Sequence, residues 1–259
     1  MTAEVLARSA AAIAAVMFAT WLVSIAWKDV SIVDPVWGLG FVVATWTAYI
    51  VGPAPVERAL PIAIMVTLWG LRLFGYLAWR KRGEPEDFRY QQMRAKRSNF
   101  PISSLWIVFG LQGVLMWIVS LPVQLALASP ETDRFYPVVI LGVALFAVGL
   151  FFETVGDLQL ARFKADPSNE GQVMDRGLWR YTRHPNYFGD FCVWWGLFLV
   201  SAEVNEAWPG IIGPVVMSFL LLKVSGVAML DKAMKDRKPK YADYIARTNA
   251  FFPGRPRNP

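Results

Sequence analysis

The sequence predicts an all-α, polytopic integral membrane protein with seven transmembrane helices, and three observations support this class. Hydrophobic residues make up 55% of the 259 positions, and twelve residues are tryptophan. Several apolar runs approach the roughly 20 residues that a helix needs to cross a bilayer. Basic residues are dense in alternate connections between these runs, as the positive-inside rule requires of a membrane protein.

The apolar runs define seven predicted spans. The first is too long and too weakly basic for a cleaved signal peptide, so we predict that it is retained. No linker or internal repeat divides the chain, and residues 1–259 are therefore predicted to form a single seven-helix domain. The predicted spans are Val5–Trp27, Ile32–Val51, Leu60–Trp79, Ser104–Ala128, Tyr136–Leu160, Tyr187–Ala202 and Pro209–Leu230.

The distribution of charge predicts the orientation. The segments after spans 1, 3, 5 and 7 contain 21 lysines and arginines, whereas the opposite side carries 3. This ratio places the N-terminus outside and the C-terminus in the cytoplasm. Because topology already accounts for the basic residues, nucleic acid is not predicted as a partner. The long cytoplasmic connections, rather than the short outer turns, are predicted to contain the functional residues.

Polar side chains occur within the predicted spans, where ionisable groups are costly and are candidates for function. At 1.5 Å rise per residue, they fall within roughly 10–15 Å of the cytoplasmic surface. This common depth predicts a cavity that opens to the cytosol below an apolar chamber. In the alternative, Arg72 pairs with Asp34 or Glu153 as a structural ion pair and Lys223 snorkels. The polar residues are Asp34, Arg72, Tyr76, Gln112, Glu153, Asp157, Asp190 and Lys223.

The segment Gly177–Asp190 concentrates arginines beside His184, the only histidine of the chain. Pro185 restricts the residue before it, so a helix is predicted to begin near Asn186, with Asp190 one turn later on the same face. Free backbone N–H groups beside arginines suit an anionic ligand. Alternatively, the arginines of this loop contact lipid headgroups. One histidine and one cysteine, Cys192, provide too few ligands for a metal centre, and none is predicted.

The C-terminal tail carries Tyr241, Tyr244 and Thr248 at helical spacing, which predicts an aromatic, hydroxyl-bearing face. Aromatic rings and arginines together suit a nucleotide, because the ring stacks and the guanidinium binds phosphate. No Walker motif is present. Gly38-Leu-Gly40 lacks the third glycine of a dinucleotide loop and follows no strand.

The stretch Arg183-His-Pro-Asn-Tyr-Phe-Gly-Asp190, preceded by Gly177-Leu-Trp-Arg-Tyr181, resembles the signature of the steroid 5-alpha-reductase family and of the related sterol C14- and delta-7-reductases. Glu153–Asp157, Leu68–Tyr76 and Leu230–Pro253 resemble further parts of that family, and the resemblance is strongest to its bacterial members. It implies an enzyme of lipid or steroid metabolism in the bacterial inner membrane. The charge distribution places its active site on the cytoplasmic side, and we expect a monomer with membrane lipids as neighbours, although no Gly-xxx-Gly motif decides the oligomeric state.

The resemblance implies an NADPH-dependent oxidoreductase that acts on CH–CH groups, like a 3-oxo-5-alpha-steroid 4-dehydrogenase. Its substrate would be a 4-ene-3-oxosteroid or a similar lipophilic enone. The residues that the resemblance assigns to the cofactor lie in the two C-terminal motif regions. They are Asp157, Lys164, Arg183, His184, Asn186, Asp190, Arg237, Tyr241 and Tyr244.

Asp34 falls where the family carries a glutamate that faces the substrate ketone. The tyrosine partner of that glutamate is replaced here by Trp69, so Tyr76 or Tyr187 would have to supply the hydroxyl. The apolar neighbours of Asp34 predict a desolvated acid that keeps its proton and donates it to the developing oxyanion.

Two other functions are compatible with these residues. Isoprenylcysteine methyltransferases also have an Arg-His-Pro and Tyr motif, but bind S-adenosylmethionine. A non-catalytic sterol- or lipid-binding membrane protein would have the intramembrane polar layer and need no cofactor. The sequence leaves the physiological substrate and the proton donor open.

Overall fold

A computed structural model of the chain describes residues 1–131, 136–224 and 241–257. Every regular element within these ranges is helical, which confirms the predicted all-α class. Six helical segments are long and apolar enough to cross a membrane, so the protein is a membrane protein. These segments are Thr2–Trp27, Val30–Val51, Val56–Lys81, Phe100–Val119, Pro137–Ala165 and Asn205–Val224.

The fourth predicted span differs from the structure, the sixth agrees with it to within two residues, and the predicted end of the seventh, Leu230, lies outside the described residues. The fourth ends at Val119 rather than Ala128, because Ser120 separates it from a second helix that has Pro122 in its first turn. The sixth is a helix of 17 residues, Pro185–Ser201, that begins at the predicted proline. That length is shorter than the roughly 20 residues that most spans need. The count of seven spans and the orientation therefore stay predictions.

The described chain forms two compact units. Unit 1 consists of Met1–Tyr136 and Ser201–Gly213, and unit 2 of Pro137–Val200 and Pro214–Pro259. The single domain proposed from the sequence stays a prediction.

Unit 1 is organised around the pair α2 and α3. Gly38 and Gly70 meet where these helices cross, and a Cβ on Gly38 would lie 2.2 Å from the carbonyl oxygen of Gly70. Small residues at such a crossing allow the backbones of membrane helices to approach closely. The buried Trp69 packs edge-on against Phe41, with ring centroids 5.3 Å apart. The α-helices of this unit are α1 (Thr2–Trp27), α2 (Val33–Val51), α3 (Val56–Lys81), α4 (Phe88–Ala95), α5 (Phe100–Ser104), α6 (Leu111–Val119) and α7 (Leu121–Ala128).

Shorter helical turns complete unit 1. A π-helical segment, Leu105–Gly110, joins α5 to α6. Two 3₁₀ segments, Val30–Ile32 and Asn205–Ile211, precede α2 and α10 respectively.

Unit 2 contains most of α8 (Tyr136–Ala165) and of α9 (Pro185–Ser201). These helices approach closely at Gly149 and Gly189, where a Cβ on Gly149 would lie 2.6 Å from the carbonyl oxygen of Gly189. The remaining elements are two 3₁₀ turns, the helix α10 with the π-helical segment that follows it, and a C-terminal helix. The 3₁₀ turns are Pro167–Asn169 and Gly177–Arg180, and α10 is Ile212–Phe219. The π-helical segment is Leu220–Val224, and the C-terminal helix is Tyr241–Arg247.

Candidate functional site

In unit 1, hydrogen bonds and ion pairs attach the short helix α4 to the start of α2. Asp87 is the N-cap of α4, since its side chain accepts from the backbone N–H of Arg89 at 2.9 Å. Its own N–H donates to the Ser31 hydroxyl at 3.2 Å. The Glu86 carboxylate accepts from the backbone N–H of Val30 at 2.8 Å and is paired with Arg94 at 2.8 Å. These contacts fix the position of the side chains that α4 presents to α2.

Asp34 lies at the centre of this arrangement. Its Oδ2 pairs with the Arg89 guanidinium at 2.8 Å, and its Oδ1 accepts a hydrogen bond from the Tyr90 hydroxyl at 2.8 Å. The Gln112 amide, from α6, donates to the same hydroxyl oxygen at 3.3 Å. We call Asp34, Arg89, Tyr90 and Gln112 the Asp34 cluster.

Asp34 has two polar partners in addition to the apolar neighbours that the sequence predicted. The side chain is 29% exposed and has a guanidinium and a phenol as partners. An adjacent cation favours the ionised form of a carboxyl group. The predicted role of Asp34 as the proton donor stays a prediction, and its contacts also allow it to orient the Tyr90 hydroxyl. The cation that pairs with Asp34 is Arg89, and the alternative pairing of Arg72 with Asp34 or Glu153 stays a prediction.

Tyr90 is the hydroxyl that lies beside Asp34. It is 5% exposed, and burial together with the Asp34 charge raises the pKa of the phenol above its usual range. The phenol therefore remains protonated at neutral pH. Tyr76 lies on a different helix, α3. The guanidinium of Arg72 lies 5.5 Å from the centroid of its ring, and that of Arg80 lies 5.6 Å from it. Its proposed catalytic role stays a prediction.

Unit 2 contains a second group of predicted residues, at the start of α9. The rings of His184 and Tyr187 are stacked, with centroids 5.5 Å apart and planes 10° from parallel. The Asn186 amide donates to the buried Asp157 carboxylate at 3.2 Å, which joins α9 to α8. Asp190 lies one turn after Asn186, as predicted.

Arg183 binds the end of the C-terminal helix. Its backbone N–H donates to the Asn249 carbonyl at 2.9 Å. Arg183 is 8% exposed, and its guanidinium donates to the carbonyls of Thr248 and Ile245. A cation that satisfies the last carbonyls of a helix stabilises that helix. The described contacts give Arg183 a structural role, and its proposed role in binding cofactor phosphates stays a prediction.

The other predicted cofactor residues are spread over unit 2. Tyr241 and Tyr244 are both buried, with ring centroids 5.6 Å apart, and the Tyr244 hydroxyl donates to the Trp179 carbonyl. Lys164 is exposed near the end of α8. Arg237 lies outside the described residues.

Sequence reasoning did not identify Tyr90 and Gln112 as partners of Asp34. Tyr90 lies 56 positions from Asp34, in one of the basic connections that the charge distribution assigns to the cytoplasm. One local signal was available, because Asp87 is a good N-cap residue at the start of a short amphipathic helix. That helix buries Tyr90 and leaves its two charged residues, Arg89 and Arg94, about one-third exposed.

The residues of unit 2 fit a dinucleotide in their chemistry. An amide and carboxylates, Asn186, Asp157 and Asp190, are the groups that hydrogen-bond a carboxamide. The exposed Lys164 is a cation that could bind phosphate. The stacked rings of His184 and Tyr187 belong to residues that flank Asn186 in the sequence.

Comparison with known proteins identifies a family without an assigned activity. The family model described as "Protein of unknown function (DUF1295)" matches residues 20–248. An uncharacterized protein of Schizosaccharomyces pombe is 23% identical over 278 aligned positions, which cover 90% of this chain and 75% of the yeast protein. A probable O-methyltransferase, ustE, of Ustilaginoidea virens is 41% identical over 66 residues, which cover 25% of this chain and 23% of that protein. No solved structure matches.

Proposed function

The chain belongs to the DUF1295 family, and we propose that it is an NADPH-dependent reductase of the carbon–carbon double bond of a lipophilic enone such as a 4-ene-3-oxosteroid. The resemblance of Gly177–Asp190 to the signature of the steroid 5-alpha-reductase family supports this reaction class. We also propose that the enzyme lies in the bacterial inner membrane, with its active site on the cytoplasmic side.

The observation that carries the proposal is the hydrogen bond between Tyr90 and Asp34. A buried phenol that keeps its proton at neutral pH is a suitable donor to a ketone oxygen. The Asp34 carboxylate accepts from this phenol at 2.8 Å and the Gln112 amide donates to the phenol oxygen at 3.3 Å, so the two residues together fix the position of the Tyr90 hydroxyl. Donors placed where charge develops in the transition state are among the largest contributions to enzymatic rates.

The protein residues have separable roles in this reaction. When bound, NADPH supplies the hydride that adds to the β-carbon of the enone. The electron pair of the double bond would then move onto the ketone oxygen, and the Tyr90 hydroxyl would turn from Asp34 to that oxygen and donate its one proton there. Tautomerisation of the enol places a proton on the α-carbon and gives the saturated ketone. The partly exposed Asp34 connects Tyr90 to solvent, from which the phenol regains a proton.

The residues proposed to hold the cofactor belong to unit 2. Asn186 and Asp190 would bind the carboxamide, and Asp157 would orient Asn186 through their hydrogen bond at 3.2 Å. His184 and Tyr187 would pack against a ring, and Lys164 would face a phosphate. We assign no cofactor contact to Arg237.

The test is NADPH oxidation by the purified protein in detergent with a 4-ene-3-oxosteroid. We expect Tyr90→Phe to lower turnover by about 100- to 1000-fold, as loss of one oxyanion donor does elsewhere. NADPH binding, measured by thermal shift, should be unchanged.

Tyr76→Phe and Tyr187→Phe are the matched controls, because each removes one hydroxyl. A variant of Tyr76 or Tyr187 that loses turnover while Tyr90→Phe keeps it would assign the donor to that residue instead. If the wild-type protein neither binds NADPH nor oxidises it with any enone, the reductase proposal is wrong.

A second candidate function is S-adenosylmethionine-dependent methyl transfer. The local match of 41% identity to a probable O-methyltransferase favours it. The same thermal-shift experiment separates the two functions, because a methyltransferase would be stabilised by S-adenosylmethionine and not by NADPH.

A further inference from the structure

Unit 2 has a pocket that lies outside the residues assigned above, apart from Tyr244. Its volume is about 450 Å³, which is within the range of small-molecule sites. Arg176 and Arg180 line it from the loop before α9, Arg247 from the end of the C-terminal helix, and Arg257 from the segment beyond. We call these four residues and the space that they line the arginine pocket.

Hydrogen bonds hold the two walls of this pocket together. The Tyr244 hydroxyl donates to the Trp179 carbonyl, and the Gly254 N–H donates to the Tyr181 carbonyl at 3.0 Å. The Arg257 N–H donates to the Arg247 carbonyl at 2.9 Å, so the final segment folds back on the helix. The backbone that carries the four arginines is therefore fixed before any ligand binds, which lowers the ordering cost of binding.

The charges in the pocket are unbalanced. Asp175 is the one carboxylate that lines it, and its Oδ2 lies 3.5 Å from the Arg247 guanidinium. Neither Arg176 nor Arg180 forms an ion pair among the described residues. Like charges that converge on one volume repel each other, and an anion placed between them relieves this repulsion.

The identity of the cations indicates the kind of anion. Arginine presents a planar fork of donors that matches a phosphate or carboxylate with two parallel hydrogen bonds. The Thr248 hydroxyl adds a neutral donor or acceptor on the same lining. A volume of about 450 Å³ exceeds what a bare phosphate fills, so space remains for the group that the phosphate is esterified to.

We propose that the arginine pocket binds the phosphate group of a phosphorylated ligand, independently of the reductase reaction. The ligand is either a soluble phosphate ester or the headgroup of an anionic lipid, because both present the same phosphate oxygens to the arginines. No cofactor is needed for this binding.

The experiment uses the full chain purified in detergent, with no NADPH or steroid. Inorganic phosphate and glycerol 3-phosphate, neither of which contains the adenosine of NADPH, are titrated at constant ionic strength, and binding is followed by thermal shift and ³¹P NMR. We expect Arg176→Gln/Arg180→Gln to weaken binding by about tenfold or more, because charged hydrogen bonds are lost. Asp175→Asn should strengthen it by a few-fold, since the one competing carboxylate is removed.

Arg255→Gln is the matched control, because Arg255 is an exposed arginine of the same C-terminal segment that does not line the pocket. It removes one charge and should leave binding unchanged. Arg180→Lys keeps the charge and should still weaken binding, which separates fork geometry from net charge. If the double variant Arg176→Gln/Arg180→Gln does not fold, the single variant Arg257→Gln is used in its place.

A second experiment tests the lipid headgroup by measuring the thermal stability of the protein in nanodiscs of phosphatidylcholine with and without phosphatidylglycerol. Stabilisation by phosphatidylglycerol that depends on Arg176 and Arg180, without a response to soluble phosphates, assigns the pocket to a headgroup. A response to soluble phosphates with the same dependence assigns it to a soluble ester. If neither probe responds, or if Arg255→Gln loses as much binding as the pocket variants, the proposal is wrong.

Discussion

Arg89 in unit 1 and Arg183 in unit 2 are both held by several partners, yet the partners differ in kind. Arg89 is one-third exposed and pairs with the carboxylates of Asp34 and Asp87. Arg183 is 8% exposed and donates to backbone carbonyls at the end of the C-terminal helix. An arginine between carboxylates helps to organise ionisable groups that can exchange protons. An arginine that faces carbonyls holds a chain segment in place, so the two residues should respond differently to substitution.

The largest expected effect is on the stability of unit 2. Arg183→Gln should lower the free energy of unfolding by about 2–4 kcal/mol, because buried charged hydrogen bonds are lost and carbonyl oxygens are left without donors. Thermal unfolding and limited proteolysis of the C-terminal segment measure this. Arg162→Gln, at an exposed arginine of α8, is the control and should change stability by less than about 0.5 kcal/mol. If limited proteolysis cleaves the C-terminal segment of Arg183→Gln at the wild-type rate, Arg183 does not hold that segment in place.

The next effect concerns activity rather than stability. Asp34→Asn keeps an oxygen that can accept from Tyr90 but removes the charge that pairs with Arg89. We expect turnover to fall by about 10- to 100-fold, as loss of a positioned acid–base group does. NADPH binding should remain, and stability should change by less than about 1 kcal/mol, because the ion pair is about one-third exposed. Full turnover in Asp34→Asn would exclude Asp34 from the reaction.

The sequence predicted the helices better than the partners of the functional residues. Long apolar runs specify spans whatever their neighbours are, and Pro185 marks the start of α9 by its own geometry. The pairing of Asp34 with Tyr90 depends on how α4 folds back on α2, which no local pattern encodes. Arg183 belongs to a motif that suggested a ligand, whereas its described contacts are with chain carbonyls that have no sequence signature.

A smaller effect tests whether other side chains share the role of Arg183. The Thr182 hydroxyl donates to the Phe251 carbonyl at 2.7 Å and accepts from the His184 N–H at 3.3 Å. Thr182→Val keeps the shape and removes both bonds, so we expect a loss of about 1–2 kcal/mol in thermal unfolding. Thr154→Val, at an exposed threonine of α8, should be neutral. If both variants behave alike, the attachment of the C-terminal segment does not depend on Thr182.

The smallest effect is on pH dependence, and it separates the two regions most directly. Burial alone would raise the pKa of Asp87, but hydrogen bonds from the Arg89 side chain and backbone outweigh it and hold that pKa below its ordinary 3.8. A carboxyl group with a lowered pKa in the folded state stabilises the protein above its unfolded pKa, and this contribution is lost as the pH falls through the folded value. Proteolysis near α4 should therefore increase as the pH falls below about 3.8.

The carbonyl contacts of Arg183 do not titrate in that range, so cleavage of the C-terminal segment should change less over the same interval. Asp87→Asn retains an N-cap side chain and should flatten the acid dependence near α4. Equal acid sensitivity at both sites in the wild type, or a dependence that Asp87→Asn leaves unaltered, would mean that the carboxylates around Arg89 do not set the local stability of α4.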